Sequence, residues 1–147
     1  MIKELCLGCA FILSFGTTLA VAADVKVEIP IQESLDKEKV KSELSGDIAF
    51  YWGRQPHPPI VRKIGSFKTS KRTNGLFKSR TDSCSWAMAS ALVALQSRAE
   101  REGGNAVINI VSNINNQEES SVTTYSCLAG AVMVNVALKG TVVTLKK

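Results

Sequence analysis

Few residue types in this chain could do chemistry, and the spacing of those few is the first constraint. His57 is the one histidine, so a Ser-His-Asp or Cys-His device would have to use it. It lies in Gly53-Arg54-Gln55-Pro56-His57-Pro58-Pro59, a proline loop with no nucleophile signature beside it. That context predicts a solvent-exposed loop histidine. Four cysteines occur, at 6, 9, 84 and 127. Cys84 and Cys127 are far apart and form no C-x-x-C motif, which argues against a redox pair. A zinc-type site needs several ligands of matching type. One histidine, two late cysteines and scattered acids do not supply them, so neither a metal nor a cofactor is expected. Gly65-Ser66-Phe67-Lys68-Thr69 lacks the first glycine and the lysine spacing of a phosphate loop. Gly103-Gly104 follows a helical pattern and precedes a strand, the reverse of a dinucleotide-binding turn.

Charge is the stronger signal. From Arg62 to Arg80 there are seven cations (Arg62, Lys63, Lys68, Lys71, Arg72, Lys78, Arg80) and no acid. Only Phe67, Leu76 and Phe77 are large and apolar there, and Asn74-Gly75 is a turn signal. The stretch reads as a basic, loop-rich surface, partly ordered by Phe67 and Phe77. Arg62, Lys63, Lys68, Lys71 and Arg72 are its main candidate binding residues. Phosphate contacts need only Lys and Arg, but base stacking needs more interleaved aromatic residues than these two. Anionic lipid headgroups, a polyanionic envelope polymer or another envelope protein fit better than nucleic acid. The plainer alternative is a solvated charged face.

The start of the chain sets the compartment. Met1-Ile2-Lys3-Glu4 precedes an apolar run from Leu5 to Leu19, and Ala20-Val21-Ala22 and Val21-Ala22-Ala23 both fit signal-peptidase cleavage. The run is short for a membrane span, which needs about 20 residues. Residues 1–23 are expected to be a signal peptide, cleaved near Ala22-Ala23, giving a periplasmic or secreted protein. Cleavage takes Cys6 and Cys9 with it and leaves 124 residues, enough for one core. Two cysteines in an oxidising compartment usually pair, so Cys84–Cys127 is the expected disulfide. Two buried free thiols are the alternative.

The elements that must position these groups can be read in order. Residues 24–47 are mostly polar and are expected as a peripheral arm. Its Val25, Val27, Ile29 and Ile31 alternate like an edge strand, limited by Pro30, and Ser34 to Leu44 could be a short helix. Ile48-Ala49-Phe50-Tyr51-Trp52 reads as the first core strand and Ile60 to Ile64 as the second. Asp82 or Ser83 can cap a helix on which Cys84, Met88, Ala91, Leu92, Leu95 and Ala99 recur on one face. Trp86, Ala87, Ala89 and Val93 widen its apolar surface, and Gly103-Gly104 stops it. Ala106 to Val111 is a buried strand. With 121–127, which alternates Val122/Thr124 against Thr123/Tyr125, it is expected to form a hairpin that brings Cys127 to Cys84. Leu128 to Ala137 is open between strand and helix, and Leu138 to Leu145 is a final strand.

The patterns C-x-W-A-x-x-x-A-L-x-x-L-Q-x-R-A, G-G-N-A-V-I-N-I, Y-S-C-x-A-G-A-V-M and V-A-L-K-G-T-V-V, between Cys84 and Leu145, carry a resemblance. With Tyr51, Gly53, His57 and Pro58, they resemble a family of small exported bacterial proteins labelled "excinuclease ATPase subunit". That label implies DNA repair, which the missing phosphate loops, the missing zinc cysteine pairs and the leader contradict. More distantly, the helix, small-residue turn, N-A-V-I-N-I and hairpin pattern is similar to the folded domain of the Rcs-pathway outer-membrane stress-sensor lipoprotein. This implies an α+β domain, a helix on a small sheet, stapled by disulfides. The chain departs from it in lacking a lipidated cysteine and in keeping only two mature cysteines.

Together these readings predict one α+β domain over residues 48–147, with one main helix packed on a small, mainly antiparallel sheet. They point to a non-enzymatic binding or sensor protein of the bacterial envelope. A small thiol-redox or hydrolytic periplasmic enzyme using Cys84/Cys127 or His57 is the alternative, and nucleic-acid binding ranks last.

Overall fold

The computed structural model describes residues 16, 18, 19 and 22–147. The expected signal peptide lies outside them, apart from 16, 18, 19, 22 and 23. The chain is α+β: one long helix, a curled mixed sheet of mostly antiparallel strands, and one disulfide. The strands are β1 (Val25–Pro30), β2 (Ala49–Trp52), β3 (Ile60–Asn74), β4 (Ala106–Ser112), β5 (Thr124–Ala129) and β6 (Met133–Leu145). The helices are α1 (Ile31–Leu35), α2 (Glu38–Glu43) and α3 (Arg80–Arg101).

β6 is the spine of the sheet. β3 pairs antiparallel with one of its edges along its whole length, from Asn74↔Met133 to Ile60↔Leu145. The other edge is shared: β5 takes Val134 and Asn135, and β4 takes Leu138 to Val143. β1 then extends β5 and β2 extends β4, the latter in parallel. The expected hairpin between 106–112 and 121–127 is therefore corrected. β4 and β5 share no ladder: Ser112, at the end of β4, bridges to Glu119 ahead of β5, and its hydroxyl accepts from the Ser126 N–H at 2.8 Å. The hairpin that forms is β5–β6, closed by the Gly130 N–H donating to the Met133 carbonyl at 2.9 Å. The open stretch 128–137 is thus strand, turn and strand. β6 buries apolar side chains on both faces: Val134, Val136, Leu138 and Val142 under the helix, Val143 and Leu145 on the other side.

α3 begins three to four residues earlier than the sequence suggests. Its cap is Ser79, whose hydroxyl accepts from the Asp82 N–H at 3.0 Å, in place of Asp82 or Ser83. The predicted face is buried throughout: Cys84, Met88, Ala91, Leu92, Leu95 and Ala99. Trp86 departs from the expectation and remains 37% exposed. The alanines of α3 let the sheet approach closely, and Gly140 leaves room beneath the helix for Val107 of the neighbouring strand, whose Cγ1 would lie 2.5 Å from a Cβ there. The helix ends as the double glycine predicts. Gly103 has φ +76°, its N–H bonds to the Glu100 carbonyl, and the Gly104 N–H bonds to that of Ala99. These two bonds satisfy carbonyls that the helix end would otherwise leave open.

Residues 24–47 are mostly exposed, but their apolar positions enter the core. Ile29, Ile31 and Val40 are buried, and Ser34 is fully enclosed. β1 is an edge strand ending in Pro30, where the missing N–H costs no ladder bond. The one expected helix is two, α1 and α2, separated at Asp36-Lys37.

Candidate functional site: a cationic edge strand

The strand expected over Ile60 to Ile64 continues to Asn74, so most of the basic stretch is strand in place of loop. β3 runs 15 residues, and the correction has a local cause. Ser66, Thr69, Ser70, Thr73 and Asn74 look like loop residues, but Ser66 and Ser70 pair across the strand and Asn74 Oδ1 accepts from the Leu76 N–H in the turn that follows. The Ser66 and Thr141 hydroxyls lie 2.9 Å apart, and the Ser70 hydroxyl donates to Asn135 Oδ1 at 2.9 Å. Strand alternation sorts the side chains. Phe67, Thr69, Lys71 and Thr73 stand opposite Gly140, Leu138, Val136 and Val134, on the α3 side. Lys68, Ser70 and Arg72 stand opposite Lys139, Ala137 and Asn135, on the other side. Irregularities between Ile60 and Arg62 and between Lys63 and Gly65 reset the alternation near the start.

The five candidate cations are thereby strung along the strand rather than gathered at a point. Lys63, Lys68 and Arg72 form a stripe on the face away from the helix. Lys71 stands on the helix side near the start of α3. Arg62 sits at the other end of α3, its Nη2 3.4 Å from the Glu102 carbonyl, where a cation complements the helix terminus. All five are exposed. None has an acidic group within ion-pair distance among the described residues, whereas Lys26, Lys37, Lys41, Arg98 and Lys139 do. Lys68 Nζ is held only by Asn116 Oδ1 at 3.2 Å. The stripe can therefore offer charge-assisted hydrogen bonds to an anion over a length of about 30 Å.

Of the two expected ordering aromatics, Phe67 fulfils the role and Phe77 does not. Phe67 is half-buried beneath the Arg98 guanidinium, 4.0 Å from its ring centre. Phe77 is 99% exposed and has φ +61°. Sequence reasoning gave no reason for this, although Asn74-Gly75 placed a turn just before it.

Cys84 and Cys127 are bonded, with Cα atoms 5.9 Å apart, and both are fully buried. The bond joins the second turn of α3 to β5. His57 is exposed; its Nδ1 lies 2.8 Å from the Pro58 carbonyl, and its ring stands edge-on to Tyr51 at 5.6 Å. The cysteine pair and His57 are not brought together with any described nucleophile or acid. A groove of about 750 Å³ lies between α2 and the start of α3, lined by Lys37, Val40, Lys78, Asp82, Ser85 and Trp86. Its Lys37 and Asp82 neutralise each other at 2.6 Å. That hydrogen bond, followed by the one with Ser79, holds the Asp82 carboxyl below its ordinary range. No protein-family model, curated protein or solved structure matches this chain. The functional reading therefore rests on its own residues.

Proposed function

We propose that this protein is a non-enzymatic, exported binding module of a bacterial envelope, and that β3 meets an anionic envelope component. The observation that carries the reading is the stripe Lys63, Lys68 and Arg72, exposed on one face of β3 with no acidic partner. Oxidative export accords with the buried Cys84–Cys127 bond. A thiol-redox role fits less well, since both sulfurs are enclosed and a mild dithiol has no access to them. The resemblance to the Rcs-pathway sensor domain suggests a sensing role by analogy.

A second reading has its own observation. β3 pairs on one side only, and Lys and Arg on a long edge strand keep other strands from adding to it. The two readings separate in a pull-down from envelope extract. Wild type is compared with a variant carrying Arg62→Gln, Lys63→Gln, Lys68→Gln, Lys71→Gln and Arg72→Gln. We expect one or more partners to be lost from the variant, and lost from wild type as salt is raised. Equal recovery of every partner would leave the cations only their edge-guarding role.

A further inference from the structure

The turn between β3 and α3 contains a residue that works against the fold. Among the described residues, four non-glycine residues have positive φ: Asn109, Asn115, Asn116 and Phe77. Asparagine tolerates that backbone, whereas phenylalanine is strained in it. A phenylalanine usually repays strain by burial. Phe77 is 99% exposed, so it buries nothing. Strain at a residue that contributes no packing points to a role outside the fold.

Its neighbours suggest the role. The Gly75 N–H donates to the Val132 carbonyl at 2.7 Å, and Asn74 stands opposite Met133. Leu76, Phe77, Val132 and Met133 therefore share one end of the β3–β6 ribbon, and all four are exposed. Single exposed apolar residues need no explanation, but a group of four at one ribbon end does. Lys71 and Arg72 flank this end on the ribbon, and Lys78 and Arg80 follow the turn. None of these four has an ion-pair partner among the described residues. Asp24 lies against Gly130 at the base of the neighbouring turn.

We propose that this ribbon end inserts into an anionic phospholipid bilayer. Phe77 and Leu76, with Val132 and Met133 behind them, enter the boundary between headgroups and acyl chains. Lys71, Arg72, Lys78 and Arg80 engage the headgroup phosphates. A soluble polyanion would satisfy the cations and leave Phe77 unexplained. A protein partner would present both charge signs, whereas four cations unpaired among the described residues face one acid, Asp24, at this end. The contact is peripheral, since no described helix is long and apolar enough to cross a membrane. The proposal rests on the reading that β3 meets an anionic partner, and it names that partner.

The test is flotation of the exported protein with two vesicle types, phosphatidylethanolamine with phosphatidylglycerol, and phosphatidylcholine alone. Inorganic polyphosphate serves as a soluble polyanion. Wild type is expected to float with the phosphatidylglycerol vesicles and not with phosphatidylcholine. Phe77→Gly is expected to lower that partitioning about tenfold, with an unfolding temperature equal to wild type or higher, so misfolding cannot explain the loss. Phe77→Trp should retain binding and show a blue-shifted emission on the vesicles. Undiminished floating of Phe77→Gly would overturn insertion and leave the anionic-partner reading standing. Binding to polyphosphate without floating would overturn the lipid and keep that reading. Binding to neither would overturn both.

Discussion

The hydroxyl of Tyr125 is buried between α1 and α3, and the direction of its hydrogen bonds can be worked out. The Ser85 hydroxyl donates to the Thr81 carbonyl at 2.7 Å, so it must accept from Ser34, 2.8 Å away. Ser34 has then used its proton and must accept from Tyr125, also at 2.8 Å. The chain Tyr125 to Ser34 to Ser85 to Thr81 satisfies three buried hydroxyls and ties the first helix of the N-terminal arm to α3 and β5. Burial pushes the Tyr125 phenol up to about 12, with the neighbouring Ser34 and Ser85 hydroxyls opposing part of the shift. The sign follows directly. The folded state keeps the proton that the unfolded state loses near pH 10, so the contribution is complete below pH 10 and fades as pH rises to 12. That amounts to about 2–3 kcal/mol. Urea titrations between pH 9 and 12 should show this loss in wild type and a shallower one in Tyr125→Phe. Equal slopes would place the alkaline sensitivity elsewhere. On the acid side Asp82 and Glu119 act in the opposite sense. Lys37 and then Ser79 lower the first, and Lys26 and then Ser126 lower the second. Their contributions are present above about pH 4 and are lost as pH falls through the folded values.

Among the elements, α3 depends most on the disulfide, because Cys84 pins its second turn to β5. The bond closes a loop with a sequence separation of 43, for which chain entropy alone gives roughly 4 kcal/mol. Cys84→Ser with Cys127→Ser should therefore lose about 2–5 kcal/mol in urea unfolding. Denatured but unreduced wild type should titrate no thiol from this pair, and a full equivalent at either cysteine would contradict the bond. The helix and β4 were legible in the sequence because burial on one face, or on both, leaves a period in the residue types. Cys84, Met88, Leu92 and Leu95 carry it for the helix, and Val107, Ile108 and Ile110 carry the run for β4. Two features left no such trace. The sequence marks the start of β3, Ile60 to Ile64, as strand, but its continuation to Asn74 reads as loop because Ser, Thr, Asn and Lys also populate loops, although Phe67, Thr69 and Thr73 do alternate with Lys68, Ser70 and Arg72. The β4–β5 pairing was wrong because neighbours in sequence are the default partners. The shared edge of β6, and the bulge at Asn109 (φ +48°) that both neighbours of β4 register, are decided by the assembled sheet. The candidate site was legible as a set of cations. Its division between two faces, and the exposure of Phe77, required the register.

At the scale of the whole molecule, the sheet is open, and β3 is its longest uncovered edge. An unpaired row of backbone N–H and C=O groups invites a second copy to add on, and a row of like charges discourages it. The stripe of Lys63, Lys68 and Arg72 can therefore serve two ends, and salt acts on them in opposite directions. Screening weakens attraction to an anionic surface. Screening equally weakens repulsion between two copies of β3, which promotes association. Raising salt should thus release wild type from an anionic partner while increasing its apparent mass in sedimentation velocity. Lys63→Thr, Lys68→Thr and Arg72→Thr together keep strand propensity and remove the charge. That variant should self-associate in a concentration-dependent way already at low salt, whereas the three-residue Lys/Arg exchange should stay monomeric. If the threonine variant remains monomeric at every concentration, the charges do not guard the edge. Their exposure would then be explained by binding alone, and the ribbon end with Phe77 would be the part of the surface that decides what is bound.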